Sequence, residues 1–595
     1  MELAVNWNPA QIFPSLESSE FKREFEGAVA DLKALERDFP ALTAHGADLT
    51  ASLETLLTRM NALLEKQRLL VGYLTLFITT DSRNDAAQAK MSELETRLLP
   101  FSMLYTRFAA WVGRLEPSAL NAALEANKPG GSEVVRSHAF FLDKTRLEAQ
   151  HLMSVAEEDL ATQLSLSGGS AWSKLHGNLT SQMMVNVNGE SLPMTAVRNL
   201  ARDEDEAVRK SAYTAELDAW KGVEVTLAAA LNGIKGERAV LNARRGYTDS
   251  LEPALHMNNM DLETLEAMIG AVEDALPDFR RYFKAKARLL GKAALPWFDL
   301  FAPIGESKTQ YDYPLACEFV IKQFGKFSNR MAEFAARAVD EGWMDVYPRE
   351  GKIGGAFCME LRGDESRILL NHDSSLDSVM TLAHELGHAY HNLNLVMRTP
   401  LQQQIPMTLA ETASTFCEAI LSNAALEQAE GAERLYILET QLQGHAQIVV
   451  DILSRYYFET AVFGRRVERD LSPDEFSNLM LECQKRSYGD SLDPQALHPY
   501  MWAVKGHYYM AGLSFYNFPY TFGALFSLGL YAEYLREPEL FRARYDDLLS
   551  STGLEDAAPL AARFGMDIRS KSFWKSSLDV IISSIDEYEK ISLGG

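Results

Sequence analysis

The stretch His384-Glu385-Leu386-Gly387-His388 sets two histidines four residues apart, with a glutamate directly after the first. On an α-helix a step of four turns the chain by about 400°, so both imidazoles leave one face within reach of a single metal ion. Glu385 points to the side of that face, where a carboxylate can reach a water on the metal and serve as a general base. The flanks supply the helix. Ser374 to Asp377 reads as a capping signal, and Leu376, Val379, Met380, Ala383 and Leu386 then recur at helical spacing until the pattern fades before Pro400.

An open catalytic metal site needs a third protein ligand, for which Glu411 is the candidate. It lies in Met407-Thr408-Leu409-Ala410-Glu411-Thr412-Ala413-Ser414-Thr415-Phe416-Cys417-Glu418, a second helix-like segment after Pro406. Thr408 and Glu411 also match a capping box, in which the glutamate would bond only its own helix start. Glu418, seven residues further, would share a helical face with Glu411 and could orient a histidine ligand, or stand as an exposed helix glutamate.

These residues resemble those of a known family. Thr381 to His391 and Ala410 to Glu418 are similar to the oligoendopeptidase F branch of the thimet oligopeptidase family of zinc metallopeptidases. Two further segments agree: Gly351 to Cys358 with Ile368 to Asn371, and Phe515 to Gly523. The similarity runs from about residue 115 to the C-terminus. It implies a mainly α, elongated multi-helical, zincin-type fold with a small β element at the active-site cleft. It also implies two parts: residues 1–190, helical and including an N-terminal segment of the family at about 115–190, and a catalytic domain over 191–595.

The resemblance further implies one zinc ion per chain, held by His384, His388 and Glu411, and internal cleavage of short unstructured oligopeptides admitted by a deep channel. Glu385 would be the base and a zinc-bound water the nucleophile. The family places a histidine and tyrosines opposite the zinc, which correspond to His507, Tyr516 and Tyr520 and would stabilise the oxyanion, with one of the two tyrosines as the main donor. The pattern departs from the mammalian thimet branch here: the glycine pair leading into a tyrosine is absent and the histidine-to-tyrosine spacing is longer, so Tyr516 and Tyr520 remain alternatives. Gly354 and Gly355 fall where the family lines its substrate cleft. A metallocarboxypeptidase of the same zinc class, or a peptide-binding protein without catalysis, are the alternative readings; all four motif residues are present, which disfavours the second.

The rest of the chain is consistent with that reading. Its 595 residues call for two or more packed regions, and 47% apolar content is ordinary for a globular protein. A formal charge of −24 argues against a nucleic-acid partner. Cys317, Cys358, Cys417 and Cys483 show no paired spacing, so neither a disulfide framework nor a thiolate site is expected, and a reducing compartment fits. Met1 to Pro9 lacks a basic-then-apolar leader, and no run of about 18 uncharged apolar residues occurs, so a soluble cytoplasmic protein without membrane contact is expected. The oligomeric state is left open.

Residues 17–127 predict a helical N-terminal region, with Tyr73, Phe77 and Met103 as core, broken at Lys128-Pro129-Gly130-Gly131-Ser132. Asn188-Gly189 predicts a tight hairpin, and Glu204 to Ala243 a helix closed by Arg244, Arg245 and Gly246. Gly351 to Asn371 reads as a loop followed by a short strand, Arg367 to Asn371, which either offers an open edge to an extended peptide or simply packs in a small sheet. From Gln441 onward helix predominates, ending in an amphipathic helix through Tyr588.

Overall fold

Ser18 and Asp48 begin the first two helices, α1 (Ser19–Leu42) and α2 (Leu49–Thr80), by accepting the Phe21 and Ala51 amides, which satisfies donors that a helix start leaves unpaired. The computed structural model describes residues 3–125, 131–306 and 309–594. Leu53, Leu56, Leu57, Met60 and Leu63 line one face of α2 and are buried with Phe21, Phe25 and Tyr73 in an N-terminal core. Met103 is not part of it: at 56% exposed it faces solvent, out of phase with buried Leu104 and Phe108. Of the expected break, Lys128, Pro129 and Gly130 lie outside the described residues, while Ser132 caps the next helix, Glu133–Ser137.

A second, larger core extends from Val185 to Tyr588. It opens with the hairpin β1 (Met184–Val187) and β2 (Glu190–Pro193), whose turn residues Asn188 and Gly189 both take positive φ, 54° and 93°, as a tight two-residue turn requires. The long helix α3 (Glu206–Arg244) follows, then α4 (Leu262–Leu289), which packs along the final helix of the chain. Arg245, just past α3, pairs with Glu158 and needs no ligand to account for it.

A small sheet precedes the histidine helix: β3 (Met344–Asp345), β4 (Phe357–Arg362) and β5 (Glu365–Leu369), in the order β3-β5-β4. The predicted strand is thus present, but as the centre of the sheet, parallel to β3 and antiparallel to β4. It has no open edge. The edge belongs to β4, in the stretch that reads as loop, and the reason is burial: Ser366 to Leu369 are buried on both faces, as a central strand must be. The histidines lie on α5 (Leu376–Leu395), the following acidic segment leads into α6 (Ser414–Gln428), and the chain ends with α7 (Phe518–Arg536) and α8 (Lys571–Gly594). Among the described residues no helix is long and apolar enough to cross a membrane.

Candidate metal centre and active-site cleft

Ser375 caps α5 by accepting the Ser378 amide, and Leu376, Val379, Leu382, Ala383 and Leu386 are buried along its inner face. Met380 is half-buried against the same core and also lines a cavity. Anchored this way, α5 presents His384 and His388 with their Nε2 atoms 3.1 Å apart, and Glu411 Oε2 lies 3.3 Å from each. Three donors bound to one ion at about 2.0–2.1 Å with tetrahedral angles stand roughly 3.3 Å from one another. The three side chains therefore fit a zinc-sized cation without rearrangement.

Two of the three donors are held in place by neighbours. His384 Nδ1 donates to Glu418 Oε1 at 2.7 Å, so Nε2 is the ring nitrogen left to face a metal. Ser414 Oγ donates to Glu411 Oε2 at 2.6 Å. The closeness of the two segments depends on Gly387: a Cβ there would sit 2.7 Å from both the Ala413 carbonyl oxygen and Ser414 Cα. A side chain would push the Glu411 turn off the histidines.

Glu411 is not part of a capping box. It ends a four-residue helix, Met407–Ala410, begun by Pro406, and Thr408 donates its hydroxyl to the Asn258 carbonyl. Nor is the segment one continuous helix, as its spacing predicts. The chain turns at residues 411–413 before α6 begins, so Glu411 and Glu418 meet His384 from a turn and a helix, not from one helical face.

The electrostatics follow from this crowding. Burial works to raise the Glu411 carboxyl, but its hydrogen bond and charge contact with His388, then His384 and Ser414, hold it down to about 2. Burial opposes protonation of His384, yet Glu418 and then Glu411 and Glu385 lift it to about 9. Glu385 is 5% exposed, and burial pushes its pKa above the usual carboxylate range against the pull of both histidines. Its Oε2 has no hydrogen-bond partner. A buried orphan carboxylate oxygen beside three converging donors is a place for a water or a substrate proton.

His507 lies in a 3₁₀ turn, Gly506–Tyr509, its ring 4.7 Å from that of Tyr516. The Tyr520 hydroxyl donates to that of Tyr516 at 2.9 Å. Tyr520 lines the same cavity as His384, Glu411 and Glu418, and one turn along α7 the bare Gly523 lets the helix approach Glu411, whose Cβ would stand 3.2 Å from an added one. Burial, then the bond to Tyr516 and the charge of Glu411, raise the Tyr520 pKa, keeping its proton in place.

Two residues carry weight that the sequence does not reveal. Asn517 occupies the N-cap position of α7 but makes no capping bond; its Oδ1 is 3.1 Å from His507 Nδ1 and accepts from Arg455 at 3.0 Å. An arginine donates only, so the Asn517 atom is the oxygen and His507 Nδ1 bears the hydrogen, leaving Nε2 as an acceptor. Arg455 is 62 residues away from Asn517 in the chain, so no local pattern could show this.

Gly354 and Gly355 are exposed and precede β4, with Gly355 at φ 82°. The Asn371 amide donates to the carbonyls of Ile353 and Gly355, tying this loop to the end of the sheet. The Cys358 thiol, on the edge strand β4, feels the charge of Glu385 after the larger effect of its burial. A cavity of about 1130 Å³ extends from His384 and Glu411 toward α8.

The chain is similar to known proteins over most of its length. The profile of peptidase family M3 matches residues 199–580, and that described as Oligopeptidase F matches residues 131–184. Oligopeptidase PepF of Bacillus subtilis is 24% identical, over 98% of this chain and 87% of its own. Group B oligopeptidase PepB of Streptococcus agalactiae is also 24% identical, over 86% of each. Among solved structures, a candidate peptidase from Chlamydophila abortus has a TM-score of 0.83 at 21% identity over 98% of each chain. Oligoendopeptidase-F from Enterococcus faecium has one of 0.69 at 18%, covering 96% of this chain and 98% of its own. With the M3 profile covering most of its length and three ligand-type side chains converging within it, the chain belongs to peptidase family M3, a family of zinc metallopeptidases.

Proposed function

We propose that this protein is a zinc-dependent endopeptidase that cuts internal bonds of short, unstructured oligopeptides, with one zinc ion held by His384, His388 and Glu411. The observation that carries the reading is the convergence of those three donors beside the unpartnered Glu385 Oε2. Zinc held there supplies Lewis acidity, polarising the scissile carbonyl and making water a better nucleophile near neutral pH.

The chain's own groups do the remaining work. Glu385 takes the proton of the attacking water at Oε2 and later returns it to the leaving amine; burial, which raises its pKa, suits both roles. Tyr520 and Tyr516, joined hydroxyl to hydroxyl, stabilise the negative charge that develops on the carbonyl oxygen, a contribution of about 3–4 kcal/mol for a donor placed for the transition state. His507, with its hydrogen committed to Asn517, accepts a main-chain N–H of the substrate at Nε2. The free edge of β4 holds the peptide extended through main-chain bonds, with Gly354 and Gly355 leaving room at its entry. Main-chain recognition predicts loose selectivity for side chains.

The names of the relatives, oligopeptidase and oligoendopeptidase, support short peptides as substrates. The test is mass spectrometry of the products from peptides of roughly 6–20 residues, lengths that span about 20–65 Å when extended. Internal cuts, together with survival of a tightly folded protein, are expected. Stepwise loss of C-terminal residues would make it a carboxypeptidase.

A further inference from the structure

A second group of metal-type ligands lies outside the cleft. His151, Glu252 and His256 each offer one donor atom, all within 4.8 Å of one another. His151 follows the helix Ala139–Gln150, whereas Glu252 and His256 stand four apart on the helix Glu252–Met257 and so share a face. Among the described residues, these three and the catalytic three are the only such groups.

Two of the three side chains are held by neighbours. His151 Nδ1 lies 3.0 Å from the Arg245 carbonyl, which can only accept, so Nδ1 carries the hydrogen and Nε2 presents its lone pair. Tyr247 stacks on that ring at 3.9 Å and 6°, fixing its plane. Glu252 Oε2 accepts from both the amide and the hydroxyl of Thr248, leaving Oε1 toward His256 Nε2, 3.8 Å away. That is too long for a hydrogen bond.

We propose that His151, Glu252 and His256 form a second divalent-metal site, of the kind that takes zinc, nickel or copper, and that its ion braces the N-terminal part of the chain against the catalytic part. Two imidazoles and one carboxylate suit those ions and leave a fourth position for water. The ligand atoms are about 0.5–1.5 Å further apart than in a closed tetrahedral site, a gap that small rotations of three half-buried side chains close. This site is therefore less preformed than the catalytic one and binds more weakly.

The placement gives the ion a structural role. His151 lies in the segment matched by the Oligopeptidase F profile, and Glu252 and His256 in that matched by family M3. Two residues after His256, the Asn258 carbonyl accepts the Thr408 hydroxyl, three residues before Glu411. An ion here holds the support of the Glu411 turn.

Zinc titration with metal analysis tests this. The zinc-loaded protein, dialysed against increasing free zinc, should take up a second equivalent, and His256→Ala and His151→Ala should weaken that uptake at least about tenfold while peptide hydrolysis persists. His388→Ala, which disables the catalytic site, provides an independent background: it should still bind one zinc and gain thermal stability from it, and the His388→Ala/Glu252→Gln double variant should lose both. Circular dichroism confirms folding of each variant. A wild-type protein that stays at one equivalent up to about 100 μM free zinc, or a second equivalent unchanged in His151→Ala and His256→Ala, would overturn the proposal.

Discussion

His384 Nδ1 donates to Glu418 Oε1 at 2.7 Å, so the carboxylate on α6 sets both the tautomer and the ring plane of a histidine on α5. Glu418→Gln retains an acceptor but removes the charge that raises ligand basicity. It should lower zinc affinity about 10–100-fold, as loss of such outer partners does elsewhere, while leaving the fold intact. Competition with a chelator measures this, and wild-type affinity would remove Glu418 from the account.

Glu411→Gln should lower zinc content and turnover together, because a neutral carboxamide is a poor substitute for an anionic ligand. Were Glu411 only a helix cap, the change would cost about 0.5–2 kcal/mol of stability and spare the metal. Stoichiometric zinc at wild-type affinity in this variant excludes it as a ligand.

Gly387→Ala sets two effects against each other. Alanine gains about 1 kcal/mol of helix propensity, but its Cβ would meet Ala413 O and Ser414 Cα at 2.7 Å, and overpacking of this kind costs about 1–3 kcal/mol. Both contacts are to backbone, which yields less readily than a side chain. The variant should be less stable in urea and hold zinc more weakly, and a gain in both would show that the two segments are not tightly packed.

Tyr516→Phe or Tyr520→Phe should reduce kcat by at least about tenfold with little change in KM or zinc content, the signature of a contact made mainly in the transition state. The cavity-lining position of Tyr520 makes its effect the larger of the two. If both single variants and the double variant turn over at the parent rate, the tyrosines do not stabilise the oxyanion.

The metal motif is legible because the step from His384 to His388 is a local property of one helix. Glu411 is only half legible: its spacing from Thr408 also matches a capping box, and what separates the readings is the fit of Gly387 against Ala413 and Ser414, a contact between segments. The small sheet shows the same limit. Ile368 and Leu369 announce a strand, but β4, with Cys358, Met359 and Glu360 half-buried, has no alternation to reveal it, so the sequence alone does not decide whether the announced strand is an edge or packs inside the sheet. The orientation of His507 depends on Arg455 and Asn517, residues brought together only by the fold.

The central claim is that Glu385 acts on water and not on the metal, and zinc content measured beside peptide turnover in Glu385→Gln tests it most directly. One tightly held zinc in the His384, His388 and Glu411 site is expected, with an unchanged fold and a loss of at least about 10²–10⁴-fold in kcat, the range for general-base catalysis. Turnover within a few-fold of wild type, or loss of zinc in parallel with activity, would contradict it.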